Sequence, residues 1–197
     1  MNRWERWLDI FVGPIPWLVA VLLIAGVVHI TSVLAMPRLA PNDAFARMAR
    51  LAPLHRMVLL PAASSGAASP PFEDPALAQG VCRYDLGQGP LRLRADLPGD
   101  ALTLLSFHAR FGQIYYSMTD RSSTRGKLDV VIATPEQLET IEAGDNEDEL
   151  PQELRILSPT RQGFVLVRAL AESDGERPAA QARVLSVACA LAPKTGS

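Results

Sequence analysis

The chain holds only two cysteines, Cys82 and Cys189, and three histidines. It has no Cys-x-x-Cys pair, and no histidine stands at zinc-ligand spacing from either thiol. Those gaps exclude a zinc ribbon and a thioredoxin-like redox motif. Lysine is nearly missing: of the 19 basic residues, 17 are Arg and 2 are Lys. The arginines are scattered and form no basic stripe, and the formal net charge is −2, so no nucleic-acid partner is expected. Abundant Arg, Ala and Pro with little Lys reads as the codon bias of a GC-rich bacterial genome. The nearest approach to a nucleotide loop, Gly87-Gln88-Gly89, lacks its third glycine, and Pro90 opens a strand where a helix is needed. No serine or cysteine stands in a recognisable nucleophile context. The sequence names no cofactor, no metal and no reaction.

What the sequence does have is an uncharged run between Asp9 and Arg38. Ile15 to Ala35 is rich in Leu, Val, Ile and Ala. At about 1.5 Å per residue it makes roughly 31 Å of helix, enough for a hydrocarbon core of about 30 Å. We assign residues 15–36 as a transmembrane helix whose partner is membrane lipid. Gly13, Pro14 and Pro16 set its start. Residues 1–14 form an interfacial segment: Trp4, Trp7, Leu8 and Phe11 recur at helical spacing, and indoles favour the headgroup region. A disordered tail is the plainer alternative. Val33-Leu34-Ala35 resembles a small-residue cleavage site, so a removed signal peptide is the competing reading, although the apolar run exceeds the usual signal core. His29 near the helix end reads as interfacial. Arg3 and Arg6 before the span nearly balance Arg38, Arg47 and Arg50 after it, so the positive-inside count gives no firm orientation and leans slightly cytoplasmic.

Residues 37–75 hold a short helix and a Pro/Ala/Ser-rich linker. Asn42 caps the helix, and Phe45, Met48, Ala49 and Ala52 share one face. Residues 76–192 form one soluble domain, large enough for a core of its own. Strands are expected over Gly80–Leu86, Leu91–Ala95, Leu102–His108, Gln113–Met118, Leu128–Ala133, Arg155–Ser158 and Gly163–Leu170. Pro98-Gly99-Asp100 makes a turn. Thr134-Pro135-Glu136-Gln137 carries the signature of a capping box, with the helix stopping at Gly144. Pro178 opens a last helix that places Leu185, Ala188 and Cys189 on one side. Short successive strands with one or two packed helices give an α+β domain on a mainly antiparallel sheet.

Candidate chemistry is sparse. Asp85 is either an acid or the anchor of a local turn. His108 with Asp120 one hairpin away would make an acid–base pair; a structural strand-end histidine is the alternative. Adjacent Tyr115 and Tyr116 should face opposite sides of a strand, one in the core and one free to line a ligand surface with His108 and Arg121. Asp120 to Arg125 offers two bases and three hydroxyls to an anion, or is a solvated tip. From Lys127 to Arg155 there are nine acids and no intervening base, but Asp145 to Glu149 lacks EF-hand spacing, leaving a solvated loop or a docking surface for a basic partner. Cys82 and Cys189 are either two small buried hydrophobes or a disulfide joining the first strand to the last element.

Several segments together carry a resemblance: Cys82-Arg83-Tyr84-Asp85-Leu86, Gly89-Pro90-Leu91, Thr134-Pro135-Glu136-Gln137, the acidic stretch, and Ile156 through Arg168. Across roughly residues 75 to 190 the chain resembles uncharacterised, largely proteobacterial single-span membrane proteins. Their soluble domain is similar to the N-terminal part of a larger two-part bacterial family of unknown function. The resemblance implies an inner-membrane protein with a periplasmic domain, a compartment that would suit the disulfide. It supplies no catalytic residue and no cofactor. The function expected is a membrane-anchored periplasmic module that binds or scaffolds an envelope protein. The alternative is a small-molecule-binding or weakly enzymatic domain with a pocket at His108, Tyr115 or Tyr116, and Arg121.

Overall fold

The helix from Ile15 to Met36 has no acids or bases and, among the described residues, buries none of its apolar window. In the computed structural model α1 (Ile15–Leu39) leaves its apolar side chains exposed on every side, Trp17 at 77%. Such an all-round apolar surface is long and apolar enough to cross a bilayer. The structure describes residues 14–39, 44–61, 74–97, 102–123, 126–145 and 153–193. They divide into two units, Met1–Pro41 and Asn42–Ser197. The turn expected at Pro98 to Asp100, most of the Pro/Ala/Ser linker, the interfacial segment through Gly13 and Asn146 to Glu149 lie outside the described residues.

The second unit is an α+β fold with two sheets. Its elements are α2 (Ala44–Leu51), β1 (Met57–Leu59), β2 (Leu77–Asp85), β3 (Leu91–Asp96), β4 (Thr103–Ala109), β5 (Ile114–Thr119), β6 (Lys127–Ala133), α3 (Pro135–Ala143), β7 (Leu154–Leu157), β8 (Gln162–Leu170), α4 (Arg177–Ser186) and β9 (Ala188–Leu191). Sheet A runs β1-β2-β8-β4-β5 and is antiparallel throughout. Sheet B runs β7-β6-β3-β9, with the single parallel pairing of the described strands at β6–β7.

The main core lies between the sheets. Sheet A contributes Cys82, Tyr84, Leu105, Phe107, Val165 and Val167, and sheet B contributes Leu91, Leu93, Val130 and Ile132. These residues alternate along their strands, as a half-buried face requires. β8 departs from alternation because its outer face is covered too. Phe164 and Leu166 pack with Val81, Leu60, Ala52 and Phe45, so α2 lies on the outer side of sheet A. A strand buried on both faces reads as a continuous apolar run, here Phe164 to Val167. α4 brings Ala180 and Val184 into the main core. α3 contacts β6 and β7 and begins with the expected capping box: the Thr134 hydroxyl accepts from Gln137 N–H, and Gln137 Oε1 accepts from Thr134 N–H.

Three expectations change. Packed elements precede residue 76: α2 from Ala44 packs on sheet A and β1 pairs with β2. Two sheets form where one was expected. The last helix stops at Ser186, and Ala188 and Cys189 belong to β9, paired with β3. Val187 leaves helical backbone for an extended conformation (φ −72°, ψ 101°), which turns the chain back along sheet B. Cys82 and Cys189 are joined as a disulfide, their Cα atoms 6.6 Å apart, so β2 of sheet A is bonded to β9 of sheet B.

Candidate functional site

Three turns converge at one end of the sheets. Asp85 closes β2, and its carboxylate accepts from Gly87 N–H at 2.9 Å and from Gln162 Nε2 at 2.9 Å. The Gln162 bond, followed by the Gly87 bond, holds this carboxyl below its ordinary range. Asp85 N–H donates to Nε2 of His55, which sits at φ +56°. Leu86 N–H donates to Arg161 O at 2.8 Å, and Gln137 Nε2 donates to Leu86 O at 2.6 Å. Ser158 N–H donates to Ala133 O at 3.0 Å. The β2–β3 turn, the start of α3 and the β7–β8 loop are thus one hydrogen-bonded assembly. Asp85 serves the turn.

Beneath it lies a chain of hydroxyls. The Tyr84 hydroxyl is 2.9 Å from that of Tyr115, 3.1 Å from Ser158 Oγ and 3.3 Å from His108 O. Ser158 Oγ donates onward to Thr160 O at 2.7 Å. The Tyr84 hydroxyl donates to His108 O and the Ser158 hydroxyl to Thr160 O. Burial raises the pKa of both tyrosines, so the phenols stay protonated. This chemistry holds strands together; it offers no base. Gly163 is what admits Tyr84: a Cβ there would strike the Tyr84 ring and His108 O.

His108 faces the other side of sheet A, stacked on Phe164 with ring centroids 4.5 Å apart. Its Nδ1 is 3.1 Å from Gly112 O, so that nitrogen carries the proton. Nε2, 3.1 Å from Ser106 Oγ, accepts from that hydroxyl. Burial is the main cause lowering its pKa, with the nearby Arg168 charge adding to the effect. Serine, histidine and carbonyl form the sequence of a nucleophile, a base and its orienter. Ser106 is 2% exposed, however, and its hydroxyl also reaches Leu166 O, so no substrate reaches it. Sequence reading passed over Ser106, although residues two apart on a strand share a face.

The proposed partners of His108 lie elsewhere. Leu104 pairs with Thr119 and His108 with Ile114, so Asp120 falls beyond the far end of β5, roughly 16 Å along the strands. One Asp120 carboxylate oxygen is buried without a hydrogen-bond partner. Arg121 sits in the turn at the same far end. Tyr116 packs on Phe107, the inner neighbour of His108, with ring centroids 5.8 Å apart. His108, Tyr116 and Arg121 do not converge. Tyr115 and Tyr116 do not alternate either. The register shift between Phe107 and His108 makes Tyr115 a bulge residue, and both rings lie against Phe107. Tyr115 enters the core, and Tyr116 remains 40% exposed. Asp145 is bonded to Arg155 at 2.6 Å, so the described end of the acidic stretch is an ion pair.

β5 is one of the terminal strands of sheet A. β5 pairs only with β4 among the described strands. From Gln113 to Thr119 it carries no charge and no proline, the usual guards of an edge. Ile114 is 59% exposed, and Phe111 and Leu102 are exposed at the two ends of the same hairpin.

The family model for a protein of unknown function, DUF1254, matches residues 75–190, from the start of β2 into β9. The chain belongs to the DUF1254 family. The DUF1254 match covers the two-sheet region and leaves out α1, α2 and β1. A solved structure with the DUF1254 chain's fold is the VPA0106 protein of Vibrio parahaemolyticus. It is 11% identical with a TM-score of 0.51, over 73% of this chain and 31% of that one. An uncharacterised protein of Burkholderia cenocepacia matches at 16% identity and TM-score 0.38, over 58% of this chain and 32% of that one. The DUF1254 chain spans about a third of the length of these solved structures. No curated protein matches it.

Proposed function

We propose that the chain is a membrane-anchored binding module whose domain faces the periplasm and engages an extended segment of an envelope protein. The carrying observation is β5, an uncharged strand that pairs only with β4 among the described strands and carries exposed apolar residues. An edge of this kind accepts an added strand, with backbone bonds giving affinity and alternate side chains giving selectivity. The anchor reading rests on α1, and the periplasmic side on the Cys82–Cys189 bond, which persists in oxidising compartments.

Photo-crosslinking in intact cells tests it. A crosslinking residue at Ser117, on the β5 edge, should give a discrete adduct. The same residue at Leu185, exposed on α4, should not. Equal background at both positions would remove the edge from consideration. An alkaline phosphatase fusion after Ser197 reads the side of the membrane, and an inactive fusion turns the domain to the cytoplasm.

A further inference from the structure

Arginines stand on the outer sides of both sheets. Arg92 holds Asp129 and Glu153 at 2.8 and 2.9 Å, Arg94 holds Asp129 at 3.0 Å, and Arg155 holds Asp145 and Glu153. On the outer side of sheet A arginines gather around α2. Arg83 and Arg110 place their guanidinium carbons 4.8 and 4.3 Å from the centre of one ring, that of Phe45. Arg83 Nη1 donates to Ala52 O at 3.0 Å and Ala49 O at 3.4 Å, at the carboxyl end of α2, and its buried Nε has no hydrogen-bond partner. Burial, and then the Arg110 charge, depress the Arg83 pKa, so the two cations repel each other. The apolar face of α2 is spent on Val81, Phe164 and Leu166. Arg47 and Arg50 stand on its exposed side, and Arg56 is exposed shortly after it.

In sequence this helix follows the apolar one at once, with residues 40–43 between them. We propose that α2 and its surrounding arginines form a surface for the phosphate groups of anionic phospholipids, a reading that rests on α1 being membrane-embedded. Guanidinium forks suit phosphate oxygens, and juxtamembrane arginines are drawn to anionic headgroups. Aromatic stacking on Phe45 holds the Arg110 guanidinium in place. The surface accounts for a feature of the sequence that orientation rules leave open: Arg47 and Arg50 follow the span because they face headgroups.

The test uses the full chain in lipid nanodiscs, read by amide hydrogen exchange. Exchange across residues 44–56 should slow several-fold in discs containing phosphatidylglycerol relative to phosphatidylcholine alone. The slowing should vanish in about 0.5 M salt, where screening is strong, and in the variant Arg47→Gln/Arg50→Gln. Unchanged exchange in β8 shows that the variant is folded. Equal exchange in the two lipids overturns the proposal, whatever the variant does. If alkaline carbonate strips the chain from membranes, the anchor reading fails by itself. The released chain is then sedimented with vesicles of the two compositions. Selective binding to phosphatidylglycerol, weakened about 30-fold by the double substitution, upholds the surface. Binding to neither or to both equally overturns it.

Discussion

Tyr84 shows how much a single side chain settles in this domain. Its hydroxyl joins β5 through Tyr115 and the β7–β8 loop through Ser158, and its own ring is fully buried. Tyr84→Phe leaves two hydroxyls short of a partner and should cost about 1–3 kcal/mol, measured by denaturant unfolding. Gly163→Ala should be worse, because its Cβ meets backbone as well as Tyr84. His108 gives a pH signature. Folded, it resists protonation; unfolded, it titrates near 6.5. Stability should therefore fall as pH drops below about 6.5 and level off below the depressed folded value. Asp85 adds a separate loss at lower pH, as acid protonates a carboxylate that is hydrogen-bonded only in the folded state. In His108→Gln the first loss should flatten while the second stays, as read from melting temperature against pH. At this scale the sequence was partly legible. Composition singled out His108, Tyr115 and Tyr116, but their directions depended on a bulge that strand periodicity does not announce.

Elements were more legible where local chemistry and tertiary demand agree. The capping box of α3 is spelled out in Thr134 to Gln137, and Thr134→Ala should cost about 1 kcal/mol by thermal melting. β9 was misread because Leu185, Ala188 and Cys189 satisfy a helical period, while pairing to β3 and the bond to Cys82 decide for a strand. β1 has three residues, too few for any period to show. The edge character of β5 belongs to topology, which no window of sequence contains. It also predicts a separation of effects. Ser117→Lys, a guard charge on the exposed edge, should abolish position-specific crosslinking at a neighbouring edge residue and leave the melting temperature within about a degree.

For the molecule as a whole, length and composition gave an apolar helix followed by an α+β domain, and both are present. The polar groups at the convergent turns bond one another, Asp85 to Gly87 and Gln162. The Cys82–Cys189 bond acts at this scale. In the chain-entropy model, closing a loop with a sequence separation of 107 stabilises by about 4–5 kcal/mol. Cys82→Ala/Cys189→Ala should lower the denaturant midpoint by a matching amount, and reductant should then change nothing further. The same bond has a mechanical meaning. Tension applied upstream of Cys82 and downstream of Cys189 passes through the sulfurs and bypasses nearly everything between them. At about 3.5 Å per residue, roughly 370 Å of contour stays locked. Under load, then, only the flanking segments can pay out: α2, β1, the lead of β2 and the end of β9 would peel away while the strands between the two cysteines stay closed, and an extension trace would show a rupture far shorter than the domain's length.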